Sequence, residues 1–234
     1  GFNTNSFPFK DKRIRKAILR AVNIPRFVHS SNRGKAIVAK GPLPPNFFDY
    51  KNIQQAQYNP DSAKKILKDL NFKPITVNFD FPQVALTQSN SIEFLKYQLG
   101  KIGIKLNIKS YNNWSDFNTA IKHESAQIFL NAVKSDILGD GLHFLYGLFY
   151  STSEANTMHY NNPKVDHWID EAFLEHDSDK RRILYQKIIG EILNDTPAVF
   201  LFHSVPNLAY HKSKINKLIT NPYGRIQFNK IELR

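Results

Sequence analysis

The chain has 234 residues, 41% hydrophobic and 13% aromatic, which is enough apolar material for one large domain or two small ones and too much for a disordered chain. It contains no cysteine, so disulfides, thiolate zinc sites and a cysteine nucleophile are excluded. The net charge of +12 raises nucleic acid or an anionic membrane as a partner, but the charge sits at the ends: +9 over residues 1–40 and +5 over 211–234, against −2 over 41–210.

The opening "GFNTNSFPF" has neither an initiator Met nor a charged-then-apolar leader, which suggests a processed protein or an excised piece. In "KDKRIRKAILR" the spacing of Ile14, Ala17, Ile18 and Ala21 predicts a helix with one core face and its cations on the solvated face. That reading leaves no basic groove with interleaved aromatics, so no nucleic-acid partner is expected. "YNPDSAKKILKDLNF" opens with Asn59 as cap and Pro60 in the first turn, where a missing N–H loses no bond; Ala63, Ile66, Leu67 and Leu70 form its apolar face.

Strand and helix signals then alternate. "ITVNFDF" places Ile75, Val77, Phe79 and Phe81 on one face, and "IKLNIKSY" does the same with Ile104, Leu106 and Ile108. Between them "SIEFLKYQLGKIG" has helical spacing at Ile92, Leu95, Leu99 and Ile102. A helix near "WSDFNTAIKH" and the strand "QIFLNAV" repeat the pattern. Further on come "LHFLYGLF", "YNNPKVDHWIDEAF" with Asn162 and Pro163 at its opening, and "DKRRILYQKIIGEILND", which stops before Pro197. The predicted fold class is α/β, with a mixed, largely parallel open sheet flanked by helices. No run of 18 apolar residues exists to span a membrane.

Ligands of open α/β sheets bind beyond the carboxyl ends of the strands, and "KSDILGDG" begins where the predicted strand "QIFLNAV" ends. Enzyme signatures are missing: no GxSxG, GxGxxG, Walker loop, HExxH or HxxxH occurs. His203 in "VFLFHSV" reads as a core-edge residue with a satisfied ring nitrogen. No catalytic residue, metal ligand or cofactor is therefore expected.

Six motifs occur in a familiar order: "FPFKDKRIRKAILRAVN", "GPLPP", "YNPDSAKKILKDLNF", "YQLGKIGIKLNIKSYNNWSDF", "YNNPKVDHWIDEA" and "DKRRILYQKIIGEILNDTPAVFLFHS". Together they resemble the extracytoplasmic solute-binding proteins of dipeptide, oligopeptide and nickel ABC transporters. The resemblance implies a periplasmic-binding-protein-like clamshell that closes on a peptide or similar solute and delivers it to a membrane permease without turnover. It implies a periplasmic or extracellular location, in a form that is lipid-anchored in some members.

Family members are roughly twice this long, so the chain resembles the carboxy-terminal lobe, with the amino-terminal lobe missing. In those terms residues 1–12 end the first-lobe segment and hinge, 13–205 form the ligand-binding lobe, and 206–234 return toward the first lobe. The basic ends then lie at a lobe or hinge surface, and Phe2, Phe7 and Phe9 are expected to line an exposed interface that favours self-association.

The resemblance also assigns site residues. Asp136 matches a carboxylate that pairs with the ligand's α-amino group and Asp140 a second Asp, with Lys134, Ser135 and Val133 beside them. The chain departs from the family where Val133 replaces a usual Trp and Gly141 a usual Pro, with one residue inserted between the carboxylates, so the roles of Asp136 and Asp140 are interchangeable at this stage. Asp140 as a cap of the following helix, and Asp136 neutralised by Lys134, stay open as alternatives. Asn156 and His159, with Met158 and Tyr160, lie in a loop that approaches the cleft in the family, and Trp114 in "NNWSDF" resembles a family aromatic that packs the lobe, so it is read as core. Two other functions stay open: a regulatory or scaffold module that keeps the fold, and a haem or nickel-chelate binder.

Overall fold

The computed structural model describes residues 1–32, 36–44, 53–83, 90–122, 126–133, 141–205, 210–219 and 226–234. The chain opens with helices α1 (Lys12–Ala21) and α2 (Ile24–Asn32), strand β1 (Ala36–Val38) and helix α3 (Pro60–Asp69). Strand β2 (Ile75–Pro82), helix α4 (Asn90–Gly100), strand β3 (Ile104–Tyr111), helix α5 (Trp114–Lys122) and strand β4 (Ile128–Phe129) follow. Helices α6 (Gly141–Phe149), α7 (Pro163–Leu174) and α8 (Ser178–Asp195) lead to the short strands β5 (Phe202–Ser204), β6 (Ile215–Lys217) and β7 (Glu232–Leu233). Among these residues no helix is long and apolar enough to cross a membrane.

The central sheet is parallel, in the order β3-β2-β4, and Phe2 adds an antiparallel bridge to Ile128. β2 and β3 pair over their full lengths, from Ile75 opposite Ile104 to Pro82 opposite Tyr111. Passing from β2 to β3 and then back across β2 to β4 puts the two connecting helices on opposite faces when both crossovers have the usual hand. Accordingly Ile92, Leu95 and Leu99 of α4 join Val77, Phe79 and Ile104 in one core cluster, while Phe117 and Ile121 of α5 join Tyr111 and Phe129 in the other. The first cluster takes in α1, α2 and α3; the second takes in α6, α7 and α8.

The strand predicted over residues 127–133 is shorter than expected. It pairs with β2 at Ile128 and Phe129, and Leu130 N–H still donates to Asp80 O at 2.9 Å. Continuing that register sets Asn131 opposite Pro82, which has no N–H for the ladder, so pairing stops there.

The helix openings follow the sequence. Asn59 accepts from Ser62 N and Asn162 from Lys164 N, each with Pro next in line, and Asp177 accepts from Asp179 N and Lys180 N. α8 ends at Thr196, whose φ of 53° is left-handed and whose hydroxyl donates to Leu193 O at 3.0 Å.

Three expectations are corrected. Arg15 is not on the solvated face of α1: it is 5% exposed, and its guanidinium reaches Phe9 O, Asp195 O and Thr196 O. The periodicity of α1 allows this because Arg15 adjoins the buried stripe, and the free carbonyls at the end of α8 need donors. Phe2 and Phe9 are buried in the first cluster with ring centroids 5.3 Å apart, leaving Phe7 alone of the three exposed. Trp114, read as core, is 37% exposed at the start of α5, edge-on to the buried Phe117.

Asp195 closes the same corner. Its carboxylate accepts from Asn162 Nδ2 at 2.7 Å, Tyr160 OH at 2.9 Å and Lys12 Nζ at 3.1 Å. Burial alone would raise its pKa, but the three donors and the Lys12 charge outweigh burial and hold the group below the usual carboxylate range. A depressed folded-state pKa stabilises the fold fully above the unfolded value near ~3.9, and that stability is lost as pH falls through the folded pKa. The urea midpoint is therefore expected to fall between about pH 5 and pH 2 less steeply in Asp195→Asn than in the wild type. Parallel pH curves for the two proteins would contradict this role.

Candidate functional site

The carboxyl ends of β2, β3 and β4 lie at one edge of the sheet. Because β2 alternates, Thr76 and Asn78 are exposed on the face opposite Val77 and Phe79, and the next residue on that face, Asp80, passes under α5 and is 2% exposed. Its carboxylate accepts from Tyr111 OH, at the end of the neighbouring strand. Burial first, and then the bond to Asp80, push the Tyr111 phenol up; Lys109, with its ammonium 5.1 Å from the ring centroid, pulls the other way. Gln83 Nε2 donates to Ser110 Oγ at 3.1 Å across the same two strand ends.

Beyond β4 the described chain continues through Leu130 to Val133, which is 48% exposed. Lys134, Ser135, Asp136 and Asp140 lie outside the described residues. The chain is described again from Gly141, the first residue of α6. Chemically the edge offers a buried carboxylate, Asp80, held by the Tyr111 hydroxyl at the end of the neighbouring strand.

The loop of Asn156 and His159 is stitched internally. Asn156 is buried; its amide donates to Tyr160 O at 2.8 Å and Tyr150 O at 3.2 Å and accepts from Tyr160 N at 3.1 Å. His159 has a left-handed φ of 53°, and its carbonyl accepts from Thr4 Oγ1 at 2.7 Å. Met158 and Tyr160 are buried in the second core cluster. The Asn156 side chain thus shapes the loop, and His159 serves it through the backbone.

His203 is half-buried in β5 opposite Ile37, with a ring pushed toward the neutral form by burial. Its Nε2 makes no hydrogen bond to another described residue. No cluster of three or more metal-ligating side chains occurs among the described residues.

Sequence reasoning missed Asp80 and Arg15. The one available signal for Asp80 was a carboxylate between two phenylalanines, "FDF", two residues from the strand's end at Pro82. In the helical pattern Arg15 differs from Arg13 and Lys16 only in having apolar residues at both i+3 and i+4, Ile18 and Leu19.

Residues 1–156 match the family described as bacterial extracellular solute-binding proteins, family 5 Middle. The chain is 27% identical over 232 residues to heme-binding protein A of Haemophilus influenzae, covering 95% of this chain and 42% of that protein. HbpA2 of Haemophilus parasuis superposes with a TM-score of 0.84 at 19% identity, over all of this chain and 47% of that one. The periplasmic binding protein DppA of Helicobacter pylori, solved with the peptide STSA, gives 0.81 at 22% identity, over 99% of this chain and 46% of that one. The chain thus spans less than half the length of each of these relatives.

Proposed function

We propose a function from one premise: the chain belongs to the bacterial extracellular solute-binding proteins of family 5, a family that binds solutes and is not defined by catalysis. It acts as the carboxy-terminal lobe, about residues 13–205, of a two-lobed solute-binding protein of an ABC importer. The ligand is a peptide with a free amino terminus, met by Asp136 or Asp140 beyond β4 and released unchanged to a membrane permease. The observation that carries this reading is the sheet's carboxyl edge: three parallel strand ends lie there with a buried carboxylate, and the segment that holds Asp136 and Asp140 follows β4 in sequence after Leu130 to Val133.

A second reading, haem as ligand, is favoured by the similarity to a heme-binding protein over nearly the whole chain. Thermal denaturation of the two-lobed protein separates the two. A ligand present at 100 times its Kd stabilises by about 2.7 kcal/mol, which raises Tm by several degrees. Di- and tripeptides are expected to give that rise and haemin is not. A rise with haemin alone, together with a new Soret band, would replace the peptide reading by the haem one.

A further inference from the structure

Helices α1 and α3 together present a cationic face, and we propose that this face, whose α1 cations the family resemblance set toward a second lobe, docks instead on an anionic lipid surface. The two helices pack side by side over the first core cluster and are joined where Asn59 N–H donates to Arg20 O at 2.8 Å. Their buried sides are Ala17, Ile18, Ala63 and Leu67. What remains outward is Arg13, Lys16 and Arg20 on α1 and Lys64, Lys65 and Lys68 on α3.

Little within the molecule neutralises them. Asp11 holds Arg13 at 2.7 Å, and Asp61 and Asp69 are the carboxylates of α3. Arg20, Lys64, Lys65 and Lys68 form no ion pair with another described residue. Lys16 donates to the neutral amide of Asn194 at 3.0 Å. Its ammonium is held below the ordinary lysine range, by burial first and then by the charges of Lys12, Arg15 and Arg20, with Asp195 opposing. Over the second core cluster the charges are mixed: α7 carries Asp166, Asp170 and Glu171 against Lys164, and α8 carries Lys180, Arg181, Arg182 and Lys187 against Asp179, Glu191 and Asp195.

The chemistry selects among polyanions. Neither α1 nor α3 contains an aromatic residue, so neither helix offers a platform for stacking the bases of a single strand, and the face fits a plane of phosphates. An extracellular protein that serves a permease works beside such a plane. The inference rests on the family's location and not on the identity of the ligand.

The test floats the two-lobed protein with vesicles of phosphatidylcholine, with and without phosphatidylglycerol, over a range of salt. Binding is expected only with phosphatidylglycerol, weakening as salt rises. The triple variant K64E/K65E/K68E is expected to lower it at least about tenfold. The control K164E/K180E/K187E makes the same change in net charge on α7 and α8 and is expected to lower it less than about threefold. If the first triple variant does not fold by circular dichroism, K64Q/K65Q/K68Q takes its place with the same ranking expected. Absence of binding to phosphatidylglycerol, equal losses in the face and control variants, or displacement of the vesicles by duplex DNA at equal phosphate would each overturn the proposal. Ligand affinity of the two-lobed protein is unchanged by the face variants, so a failure here leaves the transport reading standing.

Discussion

Replacing Arg15 by alanine is expected to destabilise the chain by about 3–5 kcal/mol and to lower its Tm by roughly 10 °C. The guanidinium donates Nη1 to Phe9 O at 2.5 Å, Nη2 to Asp195 O at 2.6 Å and Nε to Thr196 O at 3.0 Å. It therefore ties the opening segment, α1 and the end of α8 together from a position that is 5% exposed. Two of those carbonyls lie at the carboxyl end of an 18-residue helix, where partial negative charge accumulates and a cation is favoured. Removing the side chain leaves buried acceptors without donors, at about 1–3 kcal/mol for each that water cannot reach. Arg15→Lys is expected to recover less than half of the loss, because one ammonium cannot reproduce a fork spread over three carbonyls. A shift in Tm under about 2 °C for Arg15→Ala would mean that water serves these carbonyls equally well.

Separating the chain from a second lobe is expected to weaken peptide binding about a thousandfold. A micromolar site is worth about −8 kcal/mol, and a ligand gripped from two sides loses about half of that when one side is taken away, which leaves a millimolar Kd. The entropy of capturing the ligand is the same in both cases, so halving the contacts loses at least this much. The chain itself is expected to fold alone, since its sheet is covered on both faces by its own helices. Sedimentation is expected to show a monomer, because Phe2 and Phe9 are core residues and not an open interface. Calorimetry on the chain and on the two-lobed protein with one peptide checks the affinity, and equal values would show that the second lobe contributes nothing to the cleft.

The elements of the fold were readable where local chemistry decides them. Asn59 with Pro60 and Asn162 with Pro163 marked helix starts, and the alternation in "ITVNFDF" and "IKLNIKSY" marked two parallel neighbours. Non-local chemistry was not readable. Arg15 is buried because the last carbonyls of α8, some 180 positions away in sequence, need donors. The length of β4 is set by Pro82 on another strand, and Phe2 and Phe9 are buried by partners that no local pattern names. The candidate site divides in the same way: the strand ends could be placed from alternation, but Asp80 becomes a site residue only once Tyr111 lies beside it.

The most direct test of the solute-binding reading is isothermal calorimetry on the two-lobed protein with one peptide in free and N-acetylated form. A charge-assisted bond between a carboxylate and the ligand's ammonium is worth about 1.5–3 kcal/mol, so acetylation is expected to weaken binding by about ten- to a hundredfold. Either Asp136→Asn or Asp140→Asn is expected to abolish most of that difference, and whichever does so is the residue that meets the amine. Equal affinity for the free and acetylated peptides in the wild type would contradict amine recognition at the carboxyl edge of the sheet.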